Sequence, residues 1–176
     1  MTDVLTSEQR RLNMSHIRGR DTKPEMLIRR ELHARGLRYR LHDRTLPGCP
    51  DLVFSRYRTV VFIHGCFWHL HGCPLSKLPA TRRDFWLKKL EGNVKRDKNA
   101  INALQADQWH VLVIWECALR GPGQQDLFEM FNSIESYIRE GNHSLLDIAG
   151  KDEMLIGDRP EFGQSGRLSH QTTLEV

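Results

Sequence analysis

The chain has 176 residues, of which 39% are hydrophobic and 27% are charged, and its formal net charge is +4. These values are typical of one globular domain, and the sequence shows neither internal repeats nor low-complexity tracts. No apolar run reaches the roughly 18–20 residues of a membrane span, and charges stand where a secretion signal would carry its apolar core, which excludes both classes.

We therefore expect an intracellular protein whose four cysteines are thiols or metal ligands rather than disulfides. The charge is divided unevenly along the chain. Residues 121–176 contain 4 Lys/Arg and 10 Asp/Glu, which leaves a balance of +10 on residues 1–120. A basic body of this kind fits a polyanion such as nucleic acid, and equally a solvated surface.

The N-terminal third is predicted to be helical and then extended. SEQRRLNMSHIRGR indicates a short basic helix, and Thr22 to Glu25 fits a capping box with proline in the first turn. The helix that follows is expected to stop at Gly36. Apolar residues alternate over 37–41, which predicts a half-buried strand, and LPGCP predicts a turn.

The rest of the chain predicts a mixed α/β order. DLVFS and TVVFIHG read as two strands joined by the tight link of residues 56–58. A long basic helix over 83–106 precedes the buried strand HVLVIWEC, and apolar positions at helical spacing follow the break at 121–123. We divide the chain into a basic N-terminal arm (1–20), a central domain (21–140) and an acidic extension (141–176).

The segment HGCFWHLHGC contains a candidate metal centre. Cys66, His71 and Cys73 supply sulfur and imidazole donors, which Zn²⁺ prefers in a tetrahedral shell. The fourth ligand is either Cys117, near the end of the buried strand, or Cys49 in the turn before Asp51. A closed four-ligand site would be structural, because it leaves no position for a metal-bound water.

A second candidate centre lies at Pro50-Asp51, which opens the strand DLVFS. One carboxylate facing a neighbouring strand resembles the PD-(D/E)xK nuclease fold, in which it holds Mg²⁺ against the scissile phosphate. The second carboxylate and the lysine of that pattern are missing. Ile63 could offer only its backbone carbonyl, so that proton transfer would pass to His64 or His69.

Glu25 has two compatible interpretations. It completes the capping box, and at the head of a helix it could also orient a histidine or a metal-bound water. Two other classes of protein stay open on these residues alone: a zinc-stapled DNA-binding protein without catalysis, and a zinc-dependent hydrolase of small molecules, which would need an open zinc site.

Together these motifs resemble one family, the very short patch repair endonucleases, from about Asn13 to Arg120. The resemblance rests on motifs along the whole of that range: RDT followed by Glu25, LPG-x-PD, HGCFWH, PATR, FWL, NV-x-RD and WECALRG. It implies a restriction-endonuclease-like fold with a mixed sheet between helices. The implied reaction is a Mg²⁺-dependent nick in duplex DNA, 5′ of the thymine in a T·G mismatch that arises by deamination of 5-methylcytosine.

The resemblance also assigns roles to single residues. Asp51 would bind Mg²⁺, with the carbonyl of Ile63 as a further ligand, and His69 would transfer the proton, assisted by His64 and Glu25. The structural zinc would be held by Cys66, His71, Cys73 and Cys117. Two positions depart from the family. Residue 63 is commonly threonine, and the change to isoleucine is tolerable if the position acts through its carbonyl but not if a hydroxyl is required. Cys49 stands where arginine is expected to contact phosphate.

The aromatic residues of the opening segment are predicted to act on the mismatch. A mismatch is weakly stacked, so inserting rings costs less there, and each ring can replace stacking worth about 1–3 kcal/mol. Phe67 and Trp68 are the candidate wedge; the resemblance adds Trp86, and Met14 would press from the opposite groove. Trp109 and Trp115, on or beside the buried strand, are predicted to be core.

Phosphate contacts are expected from basic residues, none of which reads sequence: Arg18, Arg20, Arg82, Arg83, Lys88, Lys89, Lys95 and Arg96. The implied partner is T·G-mismatched double-stranded DNA, with a functional link to a DNA cytosine-5 methyltransferase and no membrane. We expect a monomer in the bacterial cytoplasm, associated with the nucleoid. The extension after residue 140 has no counterpart in the resemblance.

Overall fold

The computed structural model describes residues 6, 8, 9, 12, 20–141 and 145–151. Met14 and Arg18 of the predicted N-terminal arm lie outside these residues, as does the acidic segment from residue 152 onward. Within the described part of the chain, no helix combines the length and apolar character that crossing a bilayer requires.

Helix α1 (Lys23–Ala34) forms where the capping signal predicts it. The Thr22 hydroxyl accepts a hydrogen bond from the Glu25 N–H at 3.4 Å, and Pro24 occupies the first turn, where a missing N–H costs nothing. The helix closes at Gly36, whose φ of +82° is one that glycine adopts without a steric penalty. The predicted helix and both of its ends are confirmed.

Three antiparallel strands follow: β1 (Arg40–Leu41), β2 (Leu52–Phe54) and β3 (Thr59–His64). Strand β1 is shorter than the alternation over 37–41 predicts. Leu37 donates its N–H to Leu32 at the end of α1 instead of pairing, and His42, with φ of +47°, ends the strand at the other side. A short 3-10 turn (Ser55–Tyr57) makes the predicted tight link between β2 and β3.

Two parallel strands complete the sheet, β4 (His110–Trp115) beside β3 and β5 (Leu145–Ile148) beside β4, giving the order β1-β2-β3-β4-β5. The mixed sheet flanked by helices that the sequence predicts is confirmed. The sequence does not predict β5, and its pairing with β4 carries the sheet beyond residue 140, into the segment assigned above to an acidic extension.

The remaining helices are α2 (Arg83–Ala106), α3 (Glu116–Leu119) and α4 (Leu127–Glu140). Alternate residues of the strands face opposite sides of the sheet, which produces two cores. One core joins α1 and α4 to the face that carries Leu52, Val61 and Leu112. The other joins α2 and the cysteine-rich loop to the face that carries Val60, Phe62 and Val113.

Candidate active site and zinc centre

Four buried donors converge beside the second core. One ligand atom each from Cys66, His71, Cys73 and Cys117 lies within 4.8 Å of all the others. The loop after β3 brings three of them together, closing on itself through a hydrogen bond from His71 N–H to the Cys66 carbonyl at 3.1 Å. The fourth, Cys117, lies on α3, two residues beyond the end of β4, so it belongs to a helix and not to the strand itself.

This donor set fits Zn²⁺. Four ligands about 2.0–2.3 Å from a tetrahedral Zn²⁺ lie about 3.3–3.8 Å apart, close to the spacing in the cluster. His71 Nδ1 lies 3.5 Å from Cys117 Sγ, and all four residues are buried. Three sulfurs and one imidazole leave no open coordination position, so the cluster is consistent with a structural zinc site. Cys49 is not a member of it.

Within the cluster, the pKa values of two cysteine thiols are shifted in opposite directions. A hydrogen bond from Cys66 lowers the pKa of Cys117 to about 4, with further stabilisation of its thiolate by His71 and the Gly150 N–H. The Gly150 nitrogen donates to Cys117 Sγ at 3.2 Å. The same pairing with Cys117, together with burial, raises the pKa of Cys66. A thiolate with neighbouring thiols provides the sulfur donors that a divalent metal ion binds.

Asp51 stands at the start of β2, opposite the end of β3. Its Oδ2 accepts the Ile63 N–H at 2.7 Å, which fixes the carboxylate against the sheet. Burial raises the pKa of Asp51 to about 6, and the Glu25 carboxylate adds to the rise, which the Ile63 N–H and the two histidines His42 and His69 offset only in part. Ile63 therefore contacts Asp51 as a hydrogen-bond donor, through its backbone N–H.

His69 faces the same cleft and is held by a residue of α2. Its Nδ1 lies 2.5 Å from Asp97 Oδ2, and its ring stacks on His64 with centroids 3.9 Å apart and planes within 2°. His64 is buried, which lowers the pKa of its imidazole well below the ordinary value, with further lowering from His69 and His71. One imidazole of the pair is therefore neutral and the other is oriented by a carboxylate.

Glu25 and His42 lie on the far side of Asp51. The carboxylate of Glu25 is buried, 3.2 Å from His42 Nε2 and 3.3 Å from an Arg29 nitrogen. His42 Nδ1 lies 3.7 Å from Asp51 Oδ1. Glu25 therefore donates its N–H to the Thr22 cap of α1, while its side chain contacts His42 and Arg29.

Asp51 and the two stacked histidines line a cleft of about 220 Å³ between β2, β3 and α2, and Glu25 and His42 are not among its lining residues. Its walls include Cys49, Asp51, His64, His69 and Asp97. Sequence reasoning missed His42 and Asp97 as site residues. The only available signal for Asp97 was its place in the NV-x-RD motif, and no spacing connects a residue of α2 with a histidine 28 positions earlier.

The predicted aromatic wedge is a surface cluster. The rings of Phe67, Trp68 and Trp86 meet edge to face, with centroids 5.0–6.1 Å apart, and all three are partly exposed. Lys89 Nζ lies 5.3 Å from the centroids of both indoles. Asn93 of α2 donates to the Trp68 carbonyl at 2.8 Å and ties the loop to the helix.

The other aromatic and basic residues distribute as the sequence indicates. Trp115 is buried in the second core, and Trp109 packs against that core while remaining partly exposed. The candidate phosphate-contacting residues in the described part of the chain are all exposed: Arg20, Arg82, Arg83, Lys88, Lys89, Lys95 and Arg96. A basic helix face thus runs alongside the aromatic cluster.

Comparison with known proteins agrees with this geometry. The family model for the DNA mismatch endonuclease Vsr matches residues 2–75. The DNA mismatch endonuclease Vsr of Escherichia coli strain K12 is 44% identical over 151 residues, covering 85% of this chain and 97% of that protein. The type II nicking enzyme V.XorIIP of Xanthomonas oryzae pv. oryzae is 48% identical over 123 residues, covering 70% and 90%.

A third relative, the type II nicking enzyme V.NmeAIP of Neisseria meningitidis, is 44% identical over 120 residues, covering 68% of this chain and 86% of that protein. The chain belongs to the Vsr family of DNA mismatch endonucleases, and it is a DNA endonuclease that hydrolyses phosphodiester bonds.

Proposed function

We propose that the protein nicks one strand of duplex DNA on the 5′ side of the thymine in a T·G mismatch, in a reaction that requires Mg²⁺. The observation that carries the proposal is the placement of a buried carboxylate and a carboxylate-oriented histidine in one cleft, beside an exposed cluster of aromatic rings. The carboxylate and the histidine suit hydrolysis of a phosphodiester bond, and the aromatic rings suit insertion at a weakly stacked base pair.

Asp51 is the proposed ligand of the divalent cation, with the Ile63 carbonyl as a second. Oxygen donors fit the hard Mg²⁺ ion, which keeps several waters of its own. When bound, the ion would polarise the scissile phosphate and increase the acidity of water. Because Ile63 lacks a hydroxyl, only its backbone is available for this role.

His69 is the proposed proton-transferring residue. Since Asp97 holds Nδ1, the proton taken from the attacking water would be carried at Nε2, and the carboxylate stabilises the imidazolium that forms. His64 supports the ring from one face by stacking, and burial keeps its own imidazole neutral. Glu25 assists indirectly, through its contact with His42, which lies between Glu25 and Asp51.

Phe67, Trp68 and Trp86 are proposed to enter the helix at the mismatch, with Met14 approaching from the other groove. Cys66 and His71 enclose the first two rings in sequence, so a metal held by those ligands would keep them rigid and reduce the entropy lost on insertion. Lys89, between the indoles, adds a positive charge where the phosphate backbone comes close.

The proposed setting follows from the substrate. Deamination of 5-methylcytosine produces T·G pairs, which links the enzyme functionally to a DNA cytosine-5 methyltransferase. We propose a monomer that acts in the bacterial cytoplasm on nucleoid DNA. In this setting the basic arm (1–20) supports DNA binding.

Competition binding tests mismatch recognition separately from cleavage. In buffer without added divalent cation, a T·G duplex should bind about 5- to 100-fold more tightly than the T·A duplex of the same sequence. The rings supply stacking worth about 1–3 kcal/mol per base, and a mismatched step costs less to open than a matched one. Fluorescence anisotropy with unlabelled competitors measures the ratio. Equal affinities for the two duplexes would contradict the proposed substrate.

A further inference from the structure

His42 stands between two carboxylates. Nε2 lies 3.2 Å from Glu25 Oε1, and Nδ1 lies 3.7 Å from Asp51 Oδ1. The backbone places the ring firmly, because the His42 N–H donates to the Asp51 carbonyl at 3.3 Å and the residue adopts a φ of +47°. Its side chain is only 17% exposed, and that of Glu25 only 4%.

The two nitrogens have different surroundings. Nε2 is the nitrogen nearer to a carboxylate, 3.2 Å from the buried Glu25. The Nδ1 gap to Asp51 is too long for a hydrogen bond. The 3.7 Å between Nδ1 and Asp51 Oδ1 is the separation of two atoms that could bind the same cation.

A divalent ion fits this gap. A nitrogen and an oxygen that bind the same ion at about 2.0–2.2 Å each lie about 3–4 Å apart. One ligand atom each from Glu25, His42 and Asp51 lies within 4.8 Å of the others. Histidines that bind a metal usually donate their second N–H to a carboxylate, which fixes the ring and raises its basicity, and Glu25 occupies that place.

We propose that His42 is a nitrogen ligand of the divalent cation held by Asp51, oriented by Glu25. The inference rests on the proposed function in one respect, namely that Asp51 binds such a cation. Imidazole is a poor ligand for Mg²⁺ and a good one for borderline ions. The site therefore accepts Mn²⁺ with a coordinated nitrogen and binds it more tightly than Mg²⁺.

Electron paramagnetic resonance of bound Mn²⁺ tests this directly, using the full chain with zinc in the Cys66 cluster. Loss of the free-ion signal gives the affinity, and electron spin echo envelope modulation detects a coordinated imidazole nitrogen. The parent should show this ¹⁴N coupling. His42→Gln should lose it and bind Mn²⁺ about tenfold more weakly. His69→Gln, which removes a histidine that lines the cleft on the other side of Asp51, should retain the coupling.

Other results would overturn the inference. Absence of nitrogen coupling in the parent would mean that His42 is a protonated bridge between two carboxylates and not a metal ligand. Coupling that persists in His42→Gln would mean that the coordinated nitrogen belongs to another residue. Asp51→Asn separates the two proposals: if it weakens Mn²⁺ binding while the parent shows no nitrogen coupling, only the role of His42 is wrong. If Asp51→Asn leaves Mn²⁺ affinity unchanged, the proposed cation site itself is wrong. Zinc content and melting temperature verify that each variant is folded.

Discussion

Asp51→Asn is expected to abolish nicking and to leave duplex binding unchanged. The amide can still accept the Ile63 N–H, so the start of β2 keeps its geometry, whereas the charge that attracts the cation is lost. A catalytic metal ion is worth several kcal/mol of transition-state stabilisation, which corresponds to a rate loss of about 10³-fold or more. Single-turnover cleavage of a T·G duplex measures the rate, and anisotropy measures the binding.

Asp107→Asn is the matched control. Asp107 is an exposed carboxylate that follows α2, and it contacts Arg58 and the Trp109 indole rather than the cleft. The same change of charge there should leave the cleavage rate near that of the parent. Cleavage by Asp51→Asn at the parental rate would show that the catalytic cation is held elsewhere.

Cys117→Ser is expected to release the zinc and to destabilise the whole domain. Metal binding to four protein ligands contributes to folding, and apparent energies for structural zinc reach about 10–16 kcal/mol. The variant also removes the sulfur that accepts the Gly150 N–H and anchors α3 to the segment after β5. Zinc content by atomic spectroscopy and the melting temperature give the two readouts.

Cys49→Ser is the control for this experiment, because Cys49 lies in the cleft and outside the cluster. It should keep one zinc per chain and the parental melting temperature. The reverse result, zinc lost from Cys49→Ser and kept in Cys117→Ser, would assign the fourth ligand to Cys49.

Gly150→Ala probes the same centre without removing a ligand. A Cβ at this position would lie 2.9 Å from the Cys117 carbonyl oxygen and 2.8 Å from that of Gly123, both backbone atoms that cannot swing away. The variant should melt lower and yield zinc to a chelator faster than the parent. Gly92→Ala, which adds the same methyl group where only the flexible Arg96 is near, should be neutral or slightly stabilising.

Elements with local signals could be predicted well from sequence. Helix α1 is defined by Thr22, Pro24 and Gly36, whose effects act within one or two turns. The β2–β3 hairpin follows from two apolar runs and a short polar link. Strand β5 could not be predicted, because residues 145–148 show no apolar–polar alternation, and their extended conformation is tied to pairing with β4.

The residues of the candidate site also fall into two groups, those that local sequence identifies and those that only tertiary contacts bring together. Residues in one motif could be grouped by proximity in sequence, as for Cys66, His71 and Cys73. The choice between Cys117 and Cys49 depends on α3 folding back over the loop, which is a tertiary contact. Asp97 reaches the cleft from a helix, and His42 reaches Asp51 from the end of an edge strand. Their partners lie 28 and 9 residues away, and no spacing rule connects them.

Strand-resolved cleavage of paired duplexes tests the central claim most directly. Two duplexes that differ only in one base, T·G and T·A, are labelled on each strand in turn and incubated with the zinc-containing protein and Mg²⁺. The account predicts a single cut 5′ of the mismatched thymine, no cut in the partner strand, and none in either strand of the T·A duplex. Equal cutting of both duplexes, or scission of both strands, would contradict it.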